Sequence, residues 1–460
     1  LFFLAMWVER RSLSGRNPAN NPIVYSLSLA VYCTSWTFYG SVGKAASSGM
    51  LFLTIYLGPT LVMVIAGLLL RKLVRIKSAY RITSIADFIS ARYNSSASLA
   101  AMATFIALIG IAPYIALQLK AVSWTMSIIT VDEGPLSSWL SRHVGPLLVI
   151  MMALFTNVFG VRRLDPTERH SGMVMAVAME SIVKLVAFMA AGLFVIYSFY
   201  GGFGELFEKM AGLPRQGLLS FGGIEQTSYI TWTTYMVLAM AAILFLPRQF
   251  HVGVVENFDE KHIRTARWLF PLYLLLINLF VFPIAMAGIL QGRSPQLADA
   301  FVLLLPLDAG QQWLSILVFI GGFSAATSMI MISCMTMATM ITNHLLLPAV
   351  NWLPNLGFVR RHVLQCRWAA VVLVILLGYW FQTVLGDSYA LVNMGIISFA
   401  AVLQFGPPII GGIFWERGNK RGAQLGLCAG FLVWFYTLLL PAFVQSGWID
   451  ASLLQEGPWG

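Results

Sequence analysis

Apolar residues run along this chain in blocks of about 20, the length a helix needs to cross the hydrocarbon core of a bilayer. The pattern predicts spans at 1–8, 22–43, 50–70, 97–129, 144–164, 171–198, 231–248, 266–290, 313–341, 368–385, 389–408 and 422–441. Short polar connections separate them, and no block alternates with the period of two that a strand would need. The fold class this predicts is an all-α polytopic membrane protein. The first block, 1–8, is too short to cross a bilayer and reads as the end of a truncated first transmembrane helix. Residues 442–460 read as an external segment leading to a further helix, because Glu456-Gly457-Pro458-Trp459-Gly460 combines a turn with an interfacial aromatic. About 12 spans are therefore expected here and about 13 in the full domain.

One block departs from the pattern. Within 22–43 the stretch Cys33-Thr34-Ser35-Trp36-Thr37-Phe38-Tyr39-Gly40-Ser41-Val42-Gly43 replaces aliphatic residues with hydroxyls, aromatics and two glycines. It reads as a helix that unwinds at membrane depth, which is tolerated only where the backbone lines protein or a cavity. A small-residue packing face is the other reading of the same residues.

Composition sharpens the class. Hydrophobic residues make up 58% and charged residues only 10% of 460 positions, so the net charge of +10 describes loops of a membrane protein and not a nucleic-acid surface. Nearly all Lys and Arg fall in alternate loops, from Arg10, Arg11 and Arg16 to Arg417, Lys420 and Arg421. Lys44, Arg142, Lys209, Arg215 and Arg293 lie in the opposite loops, and Lys120 and Lys184 lie within spans. Positive charge in short loops marks the cytoplasmic side, as expected for a multi-pass protein of a bacterial inner membrane. The four cysteines sit in spans or at a cytoplasmic end, outside any external disulfide framework. No Gly-rich nucleotide loop, Walker loop or His-Glu-x-x-His motif occurs, so no catalytic residue, resident metal or cofactor is expected.

Charged side chains inside spans are costly and mark pathways or structural pairs. Glu180 and Lys184 are one helical turn apart on the same face, an arrangement that favours a pair. Either a coupling role or a lock between helices follows. Arg81 to Tyr93 is short and amphipathic, with Ile82, Ile85, Phe88 and Ile89 on one face, and reads as an interfacial helix. Pro247-Arg248-Gln249-Phe250-His251 ends a span and reads as a headgroup anchor or an inner gate. Gly321-Gly322-Phe323-Ser324-Ala325-Ala326-Thr327-Ser328 allows close helix approach.

In order along the chain, Cys33 to Gly43, Ile85 to Tyr93, Pro113 to Gln118, Leu246 to Glu256 and Phe323 to Ser328 resemble the solute:sodium symporters. The resemblance is to the branch fused to bacterial sensor histidine kinases of the CbrA type. It implies a LeuT-type fold with two inverted five-helix repeats, 22–198 and 231–408, plus peripheral helices such as 422–441. It also implies kinase domains beyond 460, using ATP and a cognate response regulator, and an amino-acid substrate, most readily histidine. The cation site carried over by the resemblance comprises the carbonyls of Ala30 and Cys33 with Ala325 and Ser328, and Glu180 falls where relatives often place an acid. Met329 stands where a second hydroxyl is common and Tyr32 where some relatives have an aspartate, which leaves Na+ and H+ both open as the coupling ion. A substrate pocket of Trp36, Phe38, Tyr39, Tyr114 and Gln118 would suit a small zwitterion by stacking and amide hydrogen bonding, although each aromatic could equally be packing. A non-transporting receptor derived from a symporter is the competing class of function.

The charge pattern fixes an orientation that can be tested directly. A single cysteine placed at Gly418 is expected to react only from the cytoplasmic side and one at Gly457 only from outside; the reverse labelling would overturn the topology.

Overall fold

The computed structural model describes residues 2–15, 17–65, 67–130, 135–160, 170–212, 228–351, 357–385 and 391–450. Within them, eight helices are long and apolar enough to cross a membrane, and Tyr229–Phe245 with Pro247–Val255 adds a ninth span bent by 50°. Pro22–Tyr32 and His143–Val158 are shorter apolar helices. The outward faces carry exposed Ile65, Leu68, Leu154, Leu275, Leu373 and Leu432, as a lipid-facing surface requires. The end of the span predicted at 144–164, and the external segment beyond 450, lie outside the described residues.

Each half of the chain opens on a broken helix and continues through four further spanning units. In the first half these are Thr54–Ile65 with Gly67–Tyr80, then Ala97–Ile129, Pro135–Phe159 and Ser171–Phe199. In the second they are His262–Asn278 with Val281–Leu290, Gln312–Ile341, Val363–Leu385, and Leu391–Leu403 with Gly406–Phe414. Phe2–Leu13 and Lys420–Gln445 pack outside this set.

Two helices form the spine of the core, Ser171–Phe199 against Gln312–Ile341. The glycines singled out in the sequence make that contact possible. A Cβ on Gly321 would lie 2.5 Å from the Ala187 Cβ, and one on Gly322 would collide with the Tyr39 hydroxyl. Ala97–Ile129 completes the centre, packing against the second of these helices and against Val363–Leu385 and Leu391–Leu403.

The short amphipathic helix is a departure from expectation. Ile85–Arg92 begins at Ser84, whose side chain accepts from the Asp87 amide. Its apolar residues Ile85, Phe88 and Ile89 are buried in protein, with Phe88 against the Phe250 ring at 5.7 Å, so the face reserved for lipid is filled by the bundle. An amphipathic pattern reads the same along the sequence whether lipid or protein receives its apolar face.

Crowding at the spine predicts a stability effect. Gly321→Val is expected to lower stability by about 1–3 kcal/mol, the usual range for overpacking, read as a lower melting temperature in detergent. An unchanged melt would mean that these helices do not pack closely.

Candidate functional site

The first helix unwinds where the sequence changes character. Pro22–Ser28 starts with Asn21 capping the Ile23 amide, tightens to a 3-10 turn over Leu29–Tyr32, and stops at Cys33 in extended conformation. It resumes as the π-helical turn Trp36–Gly40. Several of the freed backbone groups in the gap find side-chain partners, as burial demands. The Trp36 amide donates to Thr34 Oγ1 at 3.3 Å and the Ser35 amide to Gln118 Oε1 at 3.0 Å. The carbonyls are taken by a lysine. Lys184 Nζ donates to the Ala30 oxygen at 2.7 Å and to the Cys33 oxygen at 2.6 Å.

Lys184 is fully buried, and these short contacts have the length of charge-assisted hydrogen bonds. It therefore does not pair with Glu180, despite the spacing on their common helix. Glu180 Oε1 accepts from Thr327 Oγ1 at 3.1 Å, while the backbone oxygen of Glu180 accepts from Ser324 Oγ at 3.4 Å. Its second carboxylate oxygen has no hydrogen-bond partner. Glu180 lines a cavity of about 220 Å³ with Met151, Phe155, Ile320, Phe323 and Thr327. The expected cation ligands on the facing helix serve their own backbone: Ser328 Oγ donates to the Ser324 oxygen at 3.0 Å and the Ala325 oxygen at 3.4 Å.

The second break is sharper than hydropathy suggests. Leu246, with φ −59° and ψ 128°, leaves the helical region immediately before Pro247, as a residue preceding proline tends to. The helix resumes through Pro247–Phe250 and the π-helical turn His251–Val255. The apolar pattern ends this span at 248, which leaves Pro247 to His251 as a headgroup anchor or an inner gate. In the structure Arg248 is completely buried, with its guanidinium carbon 4.4 Å from the centre of the Tyr114 ring. Tyr25 ties the two broken helices together, its hydroxyl donating to the Gly253 oxygen at 2.8 Å.

The five residues expected to bind substrate divide. Trp36 and Tyr114 meet at 6.2 Å, and Phe399 lies 4.9 Å from the first ring and 5.8 Å from the second, forming an aromatic wall beside the breaks. Trp36 also abuts Gly395, where a Cβ would lie 2.5 Å from the indole. Phe38 and Tyr39 turn the other way, into the packing against Phe188, Gly321 and Gly322. Gln118 is engaged by the Ser35 amide. Arg248 and Phe399 were not foreseen; a buried arginine next to a proline in the second half was the signal for one, and an isolated Phe gives none.

On the side of the basic loops, side chains lock the breaks in place. Glu256 accepts from His170 Nδ1 at 2.8 Å and lies 3.1 Å from His251 Nε2. Burial opposes ionisation of Glu256, but the two imidazoles outweigh it and hold the carboxyl well below the usual carboxylate range. These three offer ligand atoms within 4.8 Å of one another, close enough for a metal ion, yet both imidazoles already reach the same carboxylate oxygen and the cluster closes on itself. Asp87 lies 3.1 Å from His344 Nε2. Burial again opposes its charge, and His344 and Thr83 overcome that and keep its carboxyl below the ordinary range.

No family model matches the chain. It is similar to two proteins of Bacillus subtilis (strain 168). One is the uncharacterized symporter YodF, 24% identical over 464 residues and covering 98% of this chain and 85% of the relative. The other is the uncharacterized symporter YhjB, 23% identical over 435 residues, covering 92% and 82%. Among solved structures, a substrate-bound, outward-open Na+-coupled sialic acid symporter shares the fold, with a TM-score of 0.62 at 14% identity over 93% of this chain and 90% of that one. Architecture and likeness together define a multi-pass membrane protein with the LeuT-type fold, its two broken helices facing each other at the centre.

Proposed function

We propose that this chain is a secondary active transporter of the symporter type that imports an amino acid across a bacterial inner membrane, driven by protons in place of sodium. Histidine is the first substrate to test, and the CbrA-type resemblance adds a role as the membrane module of a sensor histidine kinase. The observation that carries the proposal is Lys184 Nζ on the Ala30 and Cys33 carbonyls. Both similar bacterial proteins are named symporters, which supports transport as the class of activity.

Sodium is a hard cation that needs several oxygens at once. Here two of the expected oxygens are occupied by a tethered ammonium. A second cation would meet both a filled site and Coulomb repulsion in a low-dielectric interior. The tethered charge cannot leave, but its proton can. Loss of that proton removes the positive charge from the unwound segment, the equivalent of an ion departing, and protonation restores it. Glu180, one turn away with an unpartnered oxygen, is the second group able to hold a proton in the same region.

Uptake of labelled histidine and of a labelled amino-acid mixture into proteoliposomes tests this. An inward proton gradient without sodium is expected to drive accumulation, whereas a sodium gradient at equal pH is not. Lys184→Met should abolish accumulation and retain binding. Uptake that requires sodium would sink the coupling assignment, and saturable binding without accumulation under either gradient would make the chain a receptor.

A further inference from the structure

Arg248 is the least satisfied charge among the described residues. It is 0% exposed, and none of its three guanidinium nitrogens has a hydrogen-bond partner. Its neighbour Gln249 is 1% exposed, with both amide atoms also unpartnered. An unpaired ionised group in such a place carries a desolvation penalty of several kcal/mol, far beyond what a single cation–π contact returns. Arginine cannot escape by giving up its proton.

The described interior offers nothing to neutralise it. Glu180 and Glu256 are the only buried carboxylates among the described residues; the first is engaged by Thr327 and the second by His170 and His251. Lys184 adds a second buried cation beside the first helix break. Polar groups of the first break lie close by. Tyr114, under the guanidinium, is bonded through its hydroxyl to Thr34 in the first break at 3.0 Å, and the Ser35 hydroxyl in the same break is unpartnered. A guanidinium placed over an aromatic ring still directs its N–H donors outward in its own plane, where they match the two oxygens of a carboxylate.

We infer that Arg248 is the anion anchor of the substrate site: a molecule bearing a carboxylate binds between the two helix breaks, its oxygens on the guanidinium and its remaining polar groups on Gln249 and Ser35. The inference rests on the reading of the chain as a transporter and deepens it by assigning the substrate class and the residue that selects it. An uncharged sugar or a simple amine leaves the arginine unpaired and is excluded on that ground. Trp36 and Phe399 supply the apolar wall for the rest of the molecule.

Ligand-dependent melting of the purified full chain tests this without any transport step, so it stands or falls separately from proton coupling. The probes are the 20 common L-amino acids and short monocarboxylates, each set beside its amide or decarboxylated amine. At least one carboxylate is expected to raise the melting temperature saturably while its amide does not, and Arg248→Gln should weaken that binding about tenfold or more. Arg248→Met supplies a readout that needs no ligand: deleting an unpaired buried charge should raise the melting temperature of the ligand-free protein, whereas deleting a structural arginine should lower it. No stabilising carboxylate, an amide that binds as well as its acid, unchanged affinity in Arg248→Gln, or a lower ligand-free melt in Arg248→Met would each overturn the assignment.

Discussion

Backbone groups released at a helix break inside a membrane have no water to turn to, and the rest of this molecule is arranged around that constraint. Unwinding at Cys33–Ser35 frees two amides and two carbonyls in a completely buried place. A glutamine from Ala97–Ile129 and a threonine within the break satisfy the amides, and a lysine from Ser171–Phe199 satisfies the carbonyls. Side chains from Ala97–Ile129 and Ser171–Phe199 thus converge on one gap, and the long central helices meet closely beside it at Gly321.

The same constraint underlies the proposed coupling. A fully satisfied gap would be inert scaffold, but this one is satisfied by a side chain whose charge depends on a proton. Opposite it, the Leu246–Pro247 break delivers an arginine that the protein leaves unpaired. At one break the lysine holds two carbonyls, and at the other the arginine holds none. The Tyr25 hydroxyl on the Gly253 carbonyl joins the two broken helices, and the Glu256 carboxylate ties the end of the second to His170 at the start of Ser171–Phe199.

Hydropathy made the membrane class and most spans legible, because lipid selects apolar surface along a whole helix. The first break was legible too, since Cys-Thr-Ser-Trp-Thr is a poor lipid-facing sequence. The second was faint: Tyr229–Phe245 is uniformly apolar only from Met236 onward, the three threonines before it lie far from the break, and Arg248 three residues after Phe245 looks like an ordinary end of span. Spacing on one helix suggested a Glu180–Lys184 pair, but the stronger demand of the unwound carbonyls drew the lysine across to another helix. The residues of the expected aromatic pocket part company for a similar reason, because Phe38 and Tyr39 follow the π-helical turn toward Phe188 and Gly322 while Trp36 faces Tyr114. Side-chain direction in a distorted turn is not a matter of sequence period.

The central claim is that Lys184 holds the Ala30 and Cys33 carbonyls proposed as ligands of a coupling sodium ion, and so takes that ion's place. Equilibrium binding of radioactive sodium to the purified protein, by scintillation proximity with unlabelled sodium as competitor, tests it most directly. No saturable sodium binding is predicted for the wild-type protein with or without amino-acid substrate. Saturable, competable sodium binding by the wild type would contradict the account.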